Sequence, residues 1–213
     1  RAEKLAPGPK LCETIYNCEF LGFVDDGRIR VGCMLHPACN RGADLRSRSF
    51  YGAELCAGHS CIGYTCLRKM EQQAVVQSVD DWYLYGLVIT DIDLVKSFFT
   101  HAENRMGDCV RSDRCGDKAV REALRDFFML KEHWKFAAGR QMLGKYYFSE
   151  GEYYTARIEY EKRLGSRRSP FDRILISLSS QFSRAAELEE AEAIIEGHLR
   201  RFVSAYGAAG GGD

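Results

Sequence analysis

The chain has 213 residues, of which 46% are hydrophobic and 28% are charged, and its formal net charge is +0. This length fits one large domain or two small ones. The neutral balance implies no general attraction to nucleic acid or to anionic membranes, and no apolar run approaches the ~20 residues that a membrane-spanning helix needs.

The first third of the chain, residues 1–67, contains most of the cysteines. Seven of the nine cysteines and two of the five histidines fall between residues 12 and 66: Cys12, Cys18, Cys33, Cys39, Cys56, Cys61, Cys66, His36 and His59. This density is typical of a metal site, an iron–sulfur site or a set of disulfides. Nine cysteines cannot all pair within one chain, and the N-terminus shows no apolar secretory segment. We therefore favour metal-bound thiolates in a reducing, cytoplasmic compartment.

Short strands and turns are expected in this module. The tripeptide Asp25-Asp26-Gly27 separates FLGFV from RIRVGC, which is typical of a β-hairpin turn. Such a hairpin would place Cys18 near the start of one strand and Cys33 at the end of the other.

The short, glycine-containing loop ELCAGHSC is expected to bring two more thiols close together, those of Cys56 and Cys61. Zinc prefers four thiolate or imidazole ligands in a tetrahedron. We predict one zinc ion held by Cys18, Cys33, Cys56 and Cys61, with Cys12, His36 and His59 as alternate ligands.

Other interpretations of these residues stay open. An iron–sulfur cluster, which needs four thiolates, is the alternative cofactor. Three pairs with the same gap could instead close small disulfide loops: Cys12/Cys18, Cys33/Cys39 and Cys109/Cys115. Either histidine could simply hydrogen-bond within a turn, and Cys66 could be a small buried apolar residue.

The segments CEFL at 18–21, DDGR at 25–28 and CMLHP at 33–37 resemble part of a bacterial family of zinc- or iron-chelating proteins. Members carry a Cys-x-Phe-Leu segment, an acidic turn, and a second cysteine followed by a proline and another cysteine. The matching residues here are Cys18, Cys33, Pro37 and Cys39. The resemblance covers about residues 18–39, and it implies metal binding.

Residues 68–136 have a helical pattern. One or two helices are predicted over Met70–Met106, with a cap near residues 78–81, and another over Lys118–Trp134, where apolar residues recur at helical spacing. Between them, Cys109 and Cys115 lie in the polar sequence GDCVRSDRCGD. We predict that both are exposed and separate from the metal site.

Residues 143–160, LGKYYFSEGEYYTARIEY, resemble a tetratricopeptide repeat. The residues that fit are Leu143, Gly144, Tyr147, Gly151, Tyr153, Ala156 and Tyr160. A second copy at a shift of 35 aligns Phe182, Ala186, Leu188, Ala191 and Ile195. The resemblance implies two antiparallel helical hairpins over 137–206 that bind a protein or peptide, and the alternative is a plain helical pair. The glycine-rich tail 207–213 is predicted to be disordered.

These features together predict a mainly α protein: a small cysteine-rich metal-binding module with short strands, then a helical body ending in tetratricopeptide-like hairpins. The predicted function is a non-enzymatic zinc-binding protein with a protein-interaction region, and the alternative is an iron–sulfur electron-transfer or redox protein. The sequence contains no CxxC pair, glycine-rich phosphate loop or HExxH motif, so enzyme activity is not favoured. Arg41, Arg46 and Arg48 form a local basic patch, but nucleic acid is not an expected partner of a neutral chain.

Overall fold

A computed structural model of the chain describes residues 20–24, 26–27, 31–49, 52–53, 66–137, 146–149, 152–155 and 157–210. Within these ranges the protein is mainly helical, as predicted. The seven α-helices there are α1 (Lys69–Ser78), α2 (Trp82–Ile89), α3 (Ile92–Met106), α4 (Lys118–Phe128), α5 (Leu130–His133), α6 (Asp172–Ser177) and α7 (Ala185–Ala208). The strands are β1 (Leu21–Phe23), β2 (Val31–Cys33), β3 (Tyr146–Ser149) and β4 (Glu152–Thr155). Short 3-10 helices span Pro37–Cys39, Arg46–Arg48 and Arg114–Gly116, and a π-helical turn spans Tyr160–Leu164.

Aspartate side chains cap three of the helices. Asp81 Oδ1 accepts a hydrogen bond from Leu84 N at 2.7 Å at the start of α2. Asp91 and Asp117 accept equivalent bonds at the starts of α3 and α4. These carboxylates satisfy amide groups that have no partner within the first helical turn. The cap predicted near residues 78–81 is therefore confirmed.

The core lies where α3, α4 and α7 meet. The Phe98 ring of α3 lies 4.2 Å from the Phe127 ring of α4 and 5.2 Å from the Phe202 ring of α7, measured between centroids. All three rings are fully buried. The apolar residues of α4 share one face of that helix, which confirms the helical spacing predicted for this segment. The same core encloses residues of α1 and α2, so the helices before and after the β3–β4 hairpin bury one continuous apolar surface.

Strands β3 and β4 form an antiparallel hairpin where the first copy of the repeat predicts two helices. That prediction is wrong. Aromatic and β-branched residues favour strands, and this stretch has such residues on both sides of Glu150-Gly151, a two-residue spacing typical of tight hairpins. In the register of the two strands, Tyr147 lies opposite Tyr154 and Phe148 lies opposite Tyr153.

The second copy of the repeat is helical but does not form two helices of similar length. Helix α6 has six residues, whereas α7 has 24. Ala191 and Ile195 are fully buried on α7, at positions that the pattern assigns to the interior. Phe182 lies in the connection between the helices. Helix α7 continues to Ala208, so it enters the tail that the sequence predicts to be disordered.

The N-terminal strands β1 and β2 are short and antiparallel, with Leu21 opposite Cys33. Asp26 and Gly27 lie in the turn between them. The amide of Met34 donates to Phe20 O at 2.8 Å, which continues the ladder by one residue. Strand β1 packs against α2. The metal-binding module around this hairpin stays a prediction.

Candidate metal ligands and a cavity beside the last helix

Of the four predicted zinc ligands, only Cys33 belongs to the described residues. It ends β2 and is half-buried. Cys18, Cys56 and Cys61 lie outside the described residues, as do the alternates Cys12 and His59. Among the residues that the structure describes, no three Cys, His, Asp or Glu side chains are grouped as a metal site. The predicted ligand set is therefore neither assembled nor contradicted by the described part of the chain.

His36 forms a hydrogen bond within a turn. Its Nδ1 accepts a hydrogen bond from Ala38 N at 3.1 Å and so caps the short 3-10 helix Pro37–Cys39. Asn40 Nδ2 donates to Met34 O and His36 O, at 2.8 and 2.9 Å, and closes the same loop. His36 therefore hydrogen-bonds within a turn, which is the alternative to a ligand role. The Nε2 atom of its ring is still able to contact a further partner.

The thiols in the described ranges differ in exposure. Cys39 and Cys109 are exposed, and neither forms a disulfide. The predicted five-residue disulfide loops at Cys33/Cys39 and Cys109/Cys115 are therefore not closed in this structure. Cys66 is exposed, so the interpretation of Cys66 as a small buried residue is wrong.

Cys115 is fully buried, so the prediction that both cysteines of GDCVRSDRCGD are exposed is wrong for this one. Its Sγ donates to Arg111 O at 3.4 Å. Burial, with a smaller contribution from the Asp113 charge, raises the pKa of the Cys115 thiol to about 11. The physical reason is that a polar sequence folds back on itself: the 3-10 helix Arg114–Gly116 turns this one thiol toward α1 and α4.

The basic patch of Arg41, Arg46 and Arg48 is partly neutralised. Arg46 forms an ion pair with Asp44 at 2.6 Å. Hydrogen bonds from the Arg46 side chain and backbone lower the pKa of Asp44 to about 2. An anionic ligand would therefore compete with a carboxylate already bound to Arg46.

A cavity of about 220 Å³ lies between residues 157–164 and the connection from α6 to α7. Its lining combines positively charged, amide, hydroxyl and apolar side chains with one negatively charged side chain, Glu159. The lining includes Arg157, Arg163, Ile176, Ser180, Gln181 and Phe182. No local sequence pattern marks this cavity, because α6 and the loop before it separate its two walls along the chain.

Two unusual backbone conformations border the cavity. The π-helical turn Tyr160–Leu164 ends at Gly165, whose φ is +59°. Ser179, which is buried, has a φ of +56°, a region that L residues other than glycine rarely adopt. Conformations of this kind persist only where neighbouring contacts hold them, and they are concentrated at functional sites.

Hydrogen bonds to Asp172 join the π-helical turn and the segment after it to the start of α6, and the bond from Tyr160 is buried. Tyr160 OH donates to Asp172 Oδ1 at 2.8 Å, and Arg168 Nε donates to Asp172 Oδ2 at 3.0 Å. Burial, followed by the bond to Asp172, raises the pKa of Tyr160 far above its ordinary value, so the phenol stays a donor.

The opposite wall is held by the residues that follow α5. Trp134 Nε1 donates to Ser180 Oγ at 2.7 Å, and Gln181 N donates to Phe136 O at 2.9 Å. Ala137 forms a bridge with Ser180. Both walls of the cavity are therefore anchored to the buried core before any ligand binds.

Comparisons with protein families, curated proteins and solved structures gave no match to the chain. In the ranges that the structure describes, no helix has both the length and the apolar character that crossing a membrane requires.

Proposed function

We propose that the chain is a non-enzymatic zinc-binding protein in which Cys18, Cys33, Cys56 and Cys61 hold one zinc ion. The observation that carries this proposal is the density of ligand-type side chains, with seven cysteines and two histidines between residues 12 and 66. Zinc sites of the structural kind draw four such ligands from separate short segments.

The burial of the described side chains in the N-terminal segment is consistent with this proposal. Among the side chains described between residues 20 and 53, only Phe20, Leu35 and Ser49 are buried. The described side chains therefore account for only a limited hydrophobic contribution to the free energy of folding. Bound metal supplies that free energy in small zinc modules, because the ligands are not assembled in the unfolded chain.

The helical body provides a stable support for such a module, since β1 packs on α2. A repeat-based docking surface for a protein partner is not part of this proposal, because residues 146–155 contain strands where the repeat needs helices. The alternative cofactor is an iron–sulfur cluster on the same thiolates, which the sequence pattern allows.

The test is the metal content and absorption spectrum of the purified full-length chain. We expect one zinc per chain, no visible absorption, and loss of zinc when Cys18, Cys33, Cys56 or Cys61 is changed to serine. Cys109→Ser is the matched control, because this exposed thiol lies in a different part of the chain, and it should keep the metal. A brown protein containing iron would support the alternative cofactor. Unchanged zinc content in all four serine variants would contradict the ligand set.

A further inference from the structure

The cavity beside α7 is independent of the proposed zinc site, and its lining residues indicate what it could bind. Arg157 is exposed, and within the described ranges no acidic side chain pairs with it. The other arginine of the lining, Arg163, has its Nε 3.5 Å from Glu159 Oε2, a long contact between two exposed side chains. The described lining residues therefore carry two guanidinium groups and one carboxylate, a formal excess of one positive charge among them.

The interior of the cavity is apolar on one side and polar on the other. Ile176 and Phe182 supply apolar surface, and Phe182 is itself buried against Phe136, with ring centroids 5.4 Å apart. Ser180 accepts its bond from Trp134, so its hydroxyl hydrogen remains able to donate. The exposed Gln181 side chain adds a second neutral donor.

A guanidinium group favours carboxylates, because its planar N–H groups can donate two parallel hydrogen bonds to the two oxygens. The apolar wall favours a ligand whose remainder is hydrocarbon rather than a second charged group. The volume of about 220 Å³ is below the range of roughly 300–1,000 Å³ that is usual for drug-sized ligands. These three constraints agree on a small organic acid.

The geometry points to a binding site for a small monocarboxylate with an apolar body. Its carboxylate pairs with Arg157 and Arg163 at the opening, and its hydrocarbon part lies against Ile176 and Phe182. Both walls are held in place by buried bonds, the π-helical turn by Asp172 and the opposite wall by Trp134. The two walls are therefore in place before binding, and the conformational freedom lost is that of the exposed Arg157 and Arg163 side chains.

Trp134 provides a direct readout, because its indole N–H bonds to a residue that lines the cavity. The chain has two tryptophans, so a Trp82→Phe variant assigns the two indole signals in a nitrogen–proton correlation spectrum. The probe is phenylpropionate, with phenylpropionamide as its uncharged counterpart and inorganic phosphate as an anion without an apolar body. The protein is the full chain.

We expect phenylpropionate to shift the Trp134 indole signal in a saturable way with a dissociation constant on the order of 1 mM. Arg157→Gln should weaken this binding at least tenfold. Arg173→Gln, which removes an exposed arginine of α6 outside the cavity lining, should leave it unchanged.

Several outcomes would overturn the proposal: no saturable shift with phenylpropionate, equal shifts with the amide, tighter binding of phosphate than of phenylpropionate, or equal weakening in both arginine variants. Each variant is also unfolded thermally, and an unchanged melting temperature in Arg157→Gln shows that weaker binding is not a loss of folding.

Discussion

Lys131 Nζ lies 2.7 Å from Asp91 Oδ2, and the two side chains are only 7% and 8% exposed. Asp91 also caps α3 and accepts a hydrogen bond from Ser177 Oγ at 2.8 Å. The Lys131 ammonium donates a second bond, to Ser177 O at 2.9 Å. One buried ion pair therefore joins the start of α3, helix α5 and the end of α6.

Removing one member of this pair leaves the other charge buried without compensation. We expect Lys131→Met to lower the free energy of unfolding by about 3 kcal/mol. The matched control is Lys135→Met, which removes a lysine paired with Glu190 at the surface, where both side chains are more than half exposed. That change should cost less than about 1 kcal/mol. Urea unfolding measures the free energy of unfolding of both variants. Equal losses would show that the buried Lys131–Asp91 pair contributes no more to stability than the surface pair of Lys135 with Glu190.

Ala191 tests the packing of α7 against α4. Its side chain is fully buried, so Ala191→Leu adds three carbon atoms where there is no room, and we expect a loss of ~1–3 kcal/mol. Ala193→Leu makes the same substitution two residues further along α7, at an exposed position, and should change the stability by less than about 0.5 kcal/mol. Thermal unfolding measures both, and a mild effect at both positions would argue against tight packing at Ala191.

The parts of the fold that the sequence predicts correctly depend on local signals. Helix α4 has apolar residues at regular spacing, and an aspartate stands at its start. The sequence over residues 146–155 fits two structures, because glycine and aromatic residues at repeat spacing also suit a tight hairpin with aromatic strands. Spacing alone cannot separate these two structures when the segment is short.

Long-range contacts account for most of what the sequence could not predict. Lys131 meets Asp91 across 40 positions, and Ser177 meets Asp91 across 86, so no local pattern relates them. The burial of Cys115 depends on how its polar loop folds onto α1 and α4. The cavity likewise needs two segments that only the tertiary structure brings together. The predicted zinc ligands, apart from Cys33, lie outside the described residues and stay a prediction.

The two cysteines of the loop before α4 should differ in reactivity. Cys109 is exposed, whereas Cys115 is fully buried and its thiol has a raised pKa. Because the thiolate is the reactive form, iodoacetamide should modify Cys109 in the native protein and leave Cys115 unmodified. Mass spectrometry of the peptides measures this, and unfolding in urea should make both reactive. Modification of Cys115 at the same rate as Cys109 in the native state would contradict its burial.

Glycine at position 197 weakens α7. It lies in the interior of a 24-residue helix, and a Cβ atom added there would meet no atom within 4 Å. Gly197→Ala should therefore raise the free energy of unfolding by about 0.5–1 kcal/mol, since alanine restricts the unfolded chain more and favours the helix.

Gly107→Ala is the opposing control for that substitution. Gly107 ends α3 with a φ of +68°, and the space around it is equally open. Gly107 differs from Gly197 in its positive φ, which alanine rarely adopts. Gly107→Ala should therefore lower the free energy of unfolding by about 1 kcal/mol. If both substitutions changed the stability in the same direction, backbone conformation would not be the deciding factor.

Two histidines make the stability depend on pH. Burial lowers the pKa of His198, against the opposing charge of Asp126, and burial also lowers the pKa of His101, against a bond to Pro170. The unfolded chain, with a histidine pKa near 6.5, therefore binds protons more readily than the folded chain. The contribution of these groups to stability is complete above that value and decreases as the pH falls below it. Urea unfolding between about pH 8 and pH 5.5 measures the decrease, which should be smaller in a His101→Gln, His198→Gln double variant. An identical slope in that variant would assign the pH dependence to carboxylates instead.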